Sequence, residues 1–300
     1  MKVIIPVAGK GTRLKPHTEK RQKCLLPVAG KPVLDHILEP LIRQGFDDIV
    51  LVCGHLDQQL KDYVKKFNAR ISFVFQEKPL GLGHAVFQGL KSIEDPALIQ
   101  LGDVIYDIDF RAFCRKGNHR IAINQVPDPE RFGVVKIKNN QVEEVIEKPK
   151  NPPTNFAMVG LYFFPIQRPL WEAIKYLIDN EITSGREIQL ADALDLMVKS
   201  GENITVEYCN HWYDCGVPET LLSTNRELLK PSGENILGSN ILEPVYLGEN
   251  TKIINSTIGP NVTIMDDVTI TNSIISDSIV LWKAKIDGKN LNGSIIEEGS

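Results

Sequence analysis

A glycine-rich turn near the amino terminus is the first candidate for chemistry. Gly9 and Gly11 follow a short apolar run at residues 3–7, and cations stand nearby at Arg13 and Lys23. Glycine lets backbone N–H groups turn toward an anion without a Cβ in the way, and the cations can then neutralise phosphate charge. The pattern therefore predicts a buried strand that leads into a phosphate-binding turn.

Two standard phosphate-binding motifs do not fit this turn. A Walker loop requires G-x-x-x-x-G-K-[ST], which the sequence does not contain, and the dinucleotide fingerprint requires a third glycine where Leu14 stands. A lone G-x-G is only weak evidence of a phosphate-binding turn. From these residues alone, a plain tight turn remains an alternative.

Polar side chains also follow two later apolar segments. Gln76 follows residues 71–75, and its amide offers a donor and an acceptor side by side, which can pair with a uracil or thymine ring. A solvated loop glutamine is the alternative. Asp103 ends the segment 99–103, and a carboxylate at a strand tip is one ligand that Mg²⁺ accepts.

These side chains must be positioned by strands that alternate with helices. That alternation predicts right-handed βαβ units, with a parallel sheet, helices on both faces and ligands at the carboxyl ends of strands. Pro40 is expected to kink or break its helix, and Asp192 and Asp195 are expected on a solvated helix face. The predicted strands are residues 3–7, 49–53, 71–75, 99–103, 121–126, 133–137, 142–146 and 158–164, and the predicted helices are 31–45, 57–67, one ending at Leu90, 170–178 and 187–199.

Beyond a linker at residues 230–234, aliphatic residues recur at intervals of six, with one slip. Glycine and asparagine stand at the expected turns, as at Gly248 and Asn261. This tail resembles a left-handed parallel β-helix of about three coils, each of roughly 18 residues. We therefore predict two domains, 1–230 and 231–300.

Composition excludes several classes of protein. The 300 residues are 42% hydrophobic and 24% charged with a formal net charge of −4, which argues against a nucleic-acid partner. No apolar run approaches about 18 residues and no signal peptide is recognised, so we expect no membrane association. Five cysteines without a C-x-x-C pair suit a reducing compartment, and we expect a cytoplasmic protein without zinc.

Several phrases together resemble the signature of the sugar-1-phosphate nucleotidylyltransferases, of the glucose-1-phosphate thymidylyltransferase and uridylyltransferase kind. Departures from the family pattern occur at Gln22, Val104, Phe132 and Val217. The matching phrases are Gly9-Lys-Gly-Thr-Arg-Leu-Lys-Pro16, Lys23-Cys-Leu-Leu-Pro-Val28, Lys31-Pro32, Leu101-Gly-Asp103, Phe132-Gly-Val-Val135, Glu147-Lys-Pro149 and Trp212-Tyr-Asp214-Cys-Gly216.

The resemblance implies a Rossmann-like, mixed but mainly parallel sheet, and transfer of a nucleotidyl group from a pyrimidine nucleoside triphosphate to a sugar 1-phosphate. We favour dTTP and glucose 1-phosphate as substrates and Mg²⁺ as cofactor. The implied catalytic residues are Arg13 and Lys23; the nucleotide-binding residues are Ala8, Gly9, Gly11, Thr12, Arg13, Gln76, Pro79 and Gly81; the sugar-phosphate-binding residues are Gly133, Glu147, Lys148 and Gly160; the metal ligands are Asp103 and Asp214.

There are four alternative functions. UTP–glucose-1-phosphate uridylyltransferase and mannose-1-phosphate guanylyltransferase use the same chemistry. A non-catalytic sensor of nucleotide sugars would not need the metal pair. An acyltransferase on the tail would need a histidine base there, but the last histidine is His211. We therefore expect the tail to serve assembly or regulation, and the protein to be a homo-oligomer.

Overall fold

The computed structural model describes residues 1–91, 93–115, 117–233 and 236–297. The chain forms two compact units, Met1–Lys10 with Ile37–Trp212, and Gly11–His36 with Tyr213–Ser300. The domain boundary expected near residue 230 stays a prediction, and Glu234, at the end of the predicted linker, lies outside the described residues.

Strands alternate with helices up to residue 228. The strands are β1 (Lys2–Pro6), β2 (Pro27–Val28), β3 (Lys31–Pro32), β4 (Asp48–Cys53), β5 (Arg70–Phe75), β6 (Ala97–Gln100), β7 (Val104–Tyr106), β8 (His119–Gln125), β9 (Gly133–Lys138), β10 (Gln141–Glu147), β11 (Phe156–Phe164), β12 (Ile204–Tyr208) and β13 (Trp212–Asp214). The helices are α1 (Val33–Arg43), α2 (Asp57–Tyr63), α3 (Leu82–Gly89), α4 (Phe110–Phe113), α5 (Arg168–Asp179), α6 (Leu190–Lys199) and α7 (Pro218–Leu228). Across the described residues, none of the helices combines the length and apolar character that crossing a membrane requires.

The first unit is built on one nine-stranded sheet in the order β5-β4-β1-β6-β11-β8-β12-β10-β9. Strands β5, β4, β1 and β6 are parallel to one another, as the alternation of strands and helices predicts. Strand β11 then enters antiparallel to both β6 and β8. The fold is therefore mixed α/β with a parallel part, and the parallel order does not extend across the whole sheet.

The apolar run at the amino terminus forms the centre of the parallel part. Val3, Ile4 and Ile5 are fully buried in β1, which pairs with β4 on one side and β6 on the other. A strand with neighbours on both sides and helices nearby needs apolar residues at consecutive positions. This explains why the run shows no alternation of apolar and polar residues.

Two local expectations about helices need correction. Helix α1 is not broken at Pro40, because it continues to Arg43 and the N–H of Gln44 donates to the Pro40 carbonyl at 3.1 Å, whereas a kink there stays a prediction. Asp195 is not solvated, since its Oδ1 accepts from the N–H of Val145 at 3.1 Å where α6 packs on β10. Asp192 has a buried Oδ2 without a hydrogen-bond partner among the described residues.

The tail consists of short parallel strands stacked in three sets, which fits a parallel β-helix. Hydrogen bonds between coils join residues 17 or 16 positions apart, so each coil is slightly shorter than the expected 18. Single left-handed residues such as Asn255 and Asn272 form corners, so a coil needs few residues to turn. The stacks are β14 (Asn240–Ile241), β17 (Thr257–Ile258), β20 (Ile274–Ser276) and β23 (Asn290–Asn292); β15 (Val245–Leu247), β18 (Val262–Ile264), β21 (Ile279–Val280) and β24 (Ile295–Ile296); and β16 (Lys252–Ile254), β19 (Thr269–Thr271) and β22 (Lys285–Asp287).

Candidate active site

Four of the predicted site residues lie at the carboxyl ends of parallel strands in the first unit. Ala8 and Gly9 follow β1, Gln76 follows β5, and Asp103 lies in the turn between β6 and β7. An added Cβ on Gly9 would meet no atom within 4 Å, so the backbone there is open to approach. Ligands of parallel sheets bind at this edge.

The turn that carries Asp103 begins earlier than predicted. Strand β6 ends at Gln100, whereas the sequence predicts a strand through Asp103. The chain turns because Leu101 N–H donates to the Gly160 carbonyl at 2.9 Å and Gly102 N–H donates to the last carbonyl of β1 at 3.3 Å. The structure thus brings Gly160 against the turn of Asp103.

Gly160 allows a close approach that a larger residue would block. Its φ of +88° lies in the left-handed region, and an added Cβ would lie 2.7 Å from Leu101 Cδ1 and 3.2 Å from the Tyr106 hydroxyl oxygen. Tyr106 donates its hydroxyl hydrogen to the Val159 carbonyl. Gly160 therefore supports the turn, and its predicted contact with sugar phosphate stays a prediction.

Gln76 is almost fully buried, and its amide nitrogen lies near two acceptors. It is 3.2 Å from the Gly81 carbonyl and 2.9 Å from Nδ1 of His84. Burial lowers the pKa of His84 below its ordinary value. The imidazole is therefore neutral at pH 7 and has one acceptor nitrogen, while the Gln88 amide lies 3.2 Å from Nε2. In the tautomer protonated at Nε2, Nδ1 accepts from Gln76 and orients the predicted base-binding amide.

The loop after Gln76 depends on glycine. At Gly81, where φ is +108°, an added Cβ would lie 2.7 Å from the Ile188 carbonyl oxygen. The N–H of Gly83 donates to that same carbonyl at 2.8 Å. Pro79 lies in the exposed part of this loop.

Three of the four residues expected to bind the sugar phosphate, Gly133, Glu147 and Lys148, form a cluster at the ends of β9 and β10. Gly133 pairs with Glu147 across the two strands, and Glu147 Oε1 lies 3.1 Å from Lys148 Nζ. An added Cβ on Gly133 would lie 3.1 Å from Glu147 Oε2 and would overlap the terminal methyl of Met158. Burial and the charge of Glu147 both raise the pKa of Tyr162. Its phenol is therefore neutral next to this carboxylate.

Lys148 has an unusual backbone for a residue with a side chain. Its φ is +40°, and its N–H donates to the Phe132 carbonyl at 3.1 Å. Strain of this kind costs about 1–3 kcal/mol and is concentrated at functional sites. The binding role of Lys148 stays a prediction.

In the second unit, Lys23 lies against the glycine turn. Gly11 has φ of +61°, and an added Cβ would lie 2.8 Å from Thr18 Cγ2 and 3.2 Å from Lys23 Cβ. The Thr18 hydroxyl donates to the Gly11 carbonyl at 2.7 Å. Arg13 is exposed on the short 3₁₀ turn Thr12–Leu14. The structure therefore brings together the glycine and lysine that the first motif predicts.

Asp214 is oriented by its own motif. Its Oδ1 accepts from the N–H of Gly216 at 2.9 Å, and its carbonyl accepts from the Thr224 hydroxyl at 2.8 Å. An added Cβ on Gly216 would lie 2.8 Å from Oδ1. The glycine of this motif leaves room for the carboxylate, which a side chain would displace.

Three supporting residues are missed by sequence reasoning. Thr18 holds the glycine turn, Tyr106 lies against Gly160, and Tyr162 lies near Glu147. The two tyrosines stand in apolar segments and resemble ordinary core residues in the sequence. Thr18 stands two residues after the phrase that ends at Pro16, and its closeness to that phrase is the signal that could have identified it.

Thiol chemistry gains no support from the structure. Cys24 is buried in the short 3₁₀ turn Lys23–Leu25. Burial raises the pKa of Cys114 to about 12 and that of Cys209 to about 11. Among the described residues, no group of three or more His, Cys, Asp or Glu side chains is arranged to hold a metal ion.

Comparison with known proteins identifies the family. The family model described as nucleotidyl transferase matches residues 2–231. "Bifunctional protein GlmU" of Methanococcus maripaludis (strain C7 / ATCC BAA-1331) is 36% identical over 256 residues, which are 81% of this chain and 60% of that protein. This chain therefore spans about three fifths of the length of that relative.

Two further similarities cover more of the matched protein. Glucose-1-phosphate thymidylyltransferase of Streptomyces griseus is 30% identical over 333 residues, with 99% of this chain and 92% of that protein covered. A solved structure of UDP-glucose pyrophosphorylase in complex with UDP-glucose has a TM-score of 0.66 and 25% identity, and covers 75% of this chain and 97% of that one. With a family match over most of its length and a relative aligned nearly end to end, this chain belongs to the nucleotidyl transferase family.

Proposed function

We propose that the protein transfers a nucleotidyl group from a pyrimidine nucleoside triphosphate to a sugar 1-phosphate, with dTTP and glucose 1-phosphate favoured. The observation that carries the proposal is the contact between Lys23 and Gly11 at a left-handed glycine turn. That contact sets the base of a lysine side chain beside backbone that is suited to phosphate, and its ammonium group can then reach a bound phosphate. The thymidylyltransferase from Streptomyces griseus, which aligns over nearly this whole chain, supports the choice of substrates.

In the proposed reaction, an oxygen of the sugar 1-phosphate attacks the α-phosphorus of the triphosphate. The bond from that phosphorus to the bridging oxygen breaks, and pyrophosphate leaves. Both reactants are anions, and two like charges about 4 Å apart repel by roughly 4 kcal/mol at an effective dielectric near 20. Arg13 and Lys23 reduce this repulsion at the triphosphate, and Lys148 reduces it at the sugar phosphate. No covalent intermediate with the protein is needed.

The base and the sugar are bound by separate groups in this proposal. The Gln76 amide oxygen accepts from the N3–H of the pyrimidine, while the amide NH2 group is held by the Gly81 carbonyl and by His84. Ala8, Gly9, Thr12, Pro79 and Gly81 line the nucleotide, while Gly133, Glu147 and Gly160 contact the sugar phosphate. Glu147, next to the Lys148 ammonium, can accept hydrogen bonds from sugar hydroxyls.

Mg²⁺ is the proposed cofactor, with Asp103 and Asp214 as its protein ligands. The donor chemistry fits, because Mg²⁺ is commonly held by one or two carboxylates together with substrate phosphates. The N–H of Gly216, which donates to Asp214 Oδ1, fixes the orientation of one of these carboxylates. When bound, the ion would neutralise phosphate charge during transfer.

The proposal also covers the details of the fold, the location of the protein and its assembly. We propose a Rossmann-like arrangement with helices on both faces of the sheet, a left-handed β-helix in the tail, and a domain boundary near residue 230. Free cysteines among the described residues support a cytoplasmic location. We also propose a homo-oligomer, because about four short coils bury little surface by themselves.

The alternatives differ in substrate or in class. Uridylyl transfer is supported by the likeness to UDP-glucose pyrophosphorylase, and the Gln76 amide would pair equally well with uracil. Guanylyl transfer from GTP to mannose 1-phosphate is less compatible with that amide. A non-catalytic sensor would leave the carboxylate pair without a role.

The test is pyrophosphate release by the full chain with Mg²⁺. The substrates are dTTP, UTP, GTP and ATP, each with glucose 1-phosphate and with mannose 1-phosphate. We expect kcat/KM to be highest for dTTP with glucose 1-phosphate, and both pyrimidines to exceed both purines. Equal rates with purine nucleotides would refute the role of Gln76. If no pair of nucleotide and sugar phosphate gave pyrophosphate, the proposed function would be refuted.

A further inference from the structure

The segment that carries Arg13 and Lys23 is packed on the tail. Residues Gly11–His36 and Tyr213–Ser300 form one compact unit, so the first motif is joined to a region far away in the chain. Contacts on both sides of Lys23 join this segment to the tail. Three of them are direct, and a fourth runs through Asn225 of helix α7.

Two of these contacts involve residues that come before Lys23 in the chain. The guanidinium carbon of Arg21 lies 4.1 Å from the centre of the Trp282 ring, and His17 Nδ1 lies 2.6 Å from Glu297 Oε1. The planar guanidinium stacks on an aromatic face better than an ammonium group does. Burial lowers the pKa of Arg21 and the charge of Glu297 partly offsets this, so Glu297 lies near both side chains.

The other two contacts involve residues that come after Lys23 in the chain. The N–H of Ala29 donates to Asn225 Oδ1 at 2.8 Å, and the same oxygen accepts from the Thr263 hydroxyl at 2.7 Å. Asn225 and Thr263 are almost fully buried, so this link is protected from water. At Gly30 an added Cβ would overlap the ring of Tyr246, which packs directly on the backbone of the hairpin formed by β2 and β3.

We propose that the tail holds the segment 12–30 in its triphosphate-binding conformation, with Trp282 and Glu297 acting as positioning residues for Arg13 and Lys23. This inference rests on the proposed function for the role of the two cations. A segment fixed at both ends binds without losing conformational freedom at that moment. A tail that served only for assembly would need none of these contacts with the first motif.

The experiment uses the full chain with Trp282→Leu, which removes the aromatic face, and Trp282→Phe, which keeps one. Arg226→Gln is the matched control, because it breaks the Arg226–Asp277 ion pair of 3.0 Å in the same unit without touching residues 12–30. Kinetics with dTTP and glucose 1-phosphate, thermal unfolding, and hydrogen exchange of the backbone amides of residues 12–30 are measured for each protein.

For Trp282→Leu we expect kcat/KM for dTTP to fall between about twofold and thirtyfold, which corresponds to about 0.5 to 2 kcal/mol for a cation–π contact. The KM for glucose 1-phosphate should stay unchanged, and exchange at residues 12–30 should accelerate by a similar factor. Trp282→Phe should recover most of the loss, and Arg226→Gln should resemble the wild type.

Unchanged hydrogen exchange at residues 12–30 in Trp282→Leu would overturn the proposal. An equal loss of kcat/KM for dTTP and for glucose 1-phosphate, together with a lowered Tm, would also overturn it, because that result indicates a general structural role. If the wild type releases no pyrophosphate with any substrate pair, the proposed function fails, and hydrogen exchange alone then decides whether the tail orders this segment.

Discussion

At the scale of single residues, the pairing of Gln76 with His84 links base recognition to pH. The Gln76 amide donates to His84 Nδ1 only while that nitrogen carries no proton. Burial lowers the pKa of His84 from its ordinary 6.5, so this condition is met at neutral pH. The orientation of the amide therefore depends on a group that titrates in mild acid.

We predict that the KM for dTTP rises as the pH falls through the pKa of His84, which burial lowers from its ordinary 6.5. Protonated His84 donates from Nδ1 and no longer accepts from Gln76, and loss of a hydrogen bond of about 1 kcal/mol corresponds to roughly a fivefold change. The free energy of unfolding falls as the pH drops from about 6.5 toward that lowered pKa, because the unfolded chain binds a proton there that the half-buried His84 resists. Steady-state kinetics and urea unfolding between pH 5 and 8 measure both.

The control for this experiment is His84→Asn. Phosphate groups also titrate near pH 6, so the substrate contributes its own pH dependence. An asparagine oxygen can accept from Gln76 at every pH, and the variant should retain only the substrate's contribution. If the wild type and His84→Asn show the same pH profile, His84 does not orient the amide.

Much of the candidate site could be predicted at this scale, because its phrases are local. Gly11 and Lys23 meet in the structure as the first motif suggests, and Gly216 stands beside the Asp214 carboxylate. The contacts of Tyr162 and Tyr106 could not be predicted, since they depend on how strands pair. An apolar segment does not reveal which of its aromatic residues reaches a polar neighbour.

At the scale of elements, the ends of β9 and β10 bring Gly133 and Glu147 face to face. We predict that Gly133→Ala destabilises the fold by about 1–3 kcal/mol, the usual range for overpacking. The new methyl would overlap Met158 and approach Glu147 Oε2, so the KM for glucose 1-phosphate should rise more than the KM for dTTP. Urea unfolding and steady-state kinetics measure the two effects.

Met158→Leu separates packing from binding. Leucine has a similar volume but lacks the terminal methyl that the new Cβ would overlap. Combined with Gly133→Ala, it should restore most of the stability while the KM for glucose 1-phosphate stays raised, and alone it should change neither. Full recovery of binding in the double variant would show that Glu147 is not displaced.

The sequence predicts most elements of the first unit, and the errors in that prediction have physical causes. Strands rich in β-branched residues are recognised well, as at β4 and β10. Strand β12 is missed, and the antiparallel entry of β11 cannot be predicted from local patterns because strand order depends on long-range pairing. Asp195 was assigned to solvent because helical periodicity does not show that β10 offers an N–H on that side.

At the scale of the whole molecule, the association of the first motif with the tail joins residues far apart in the sequence. The contact between His17 and Glu297 spans 280 positions, and that between Ala29 and Asn225 of α7, which also binds Thr263 of the tail, spans 196. Such contacts leave no periodic signal in a single sequence. The tail itself was predictable, because its repeated aliphatic positions fill the interior of the stacked coils.

The central claim is that two distant carboxylates and the cations of the first motif act in one reaction. Pyrophosphate release with dTTP, glucose 1-phosphate and Mg²⁺ tests it most directly, in the wild type and in Asp103→Asn combined with Asp214→Asn. Asp62→Asn is the control, because Asp62 is an exposed partner of Lys65 on the surface. We expect the double variant to lose at least about 100-fold in kcat while it unfolds at the wild-type temperature, and the control to keep its rate. A folded double variant with a near-wild-type rate would contradict the account.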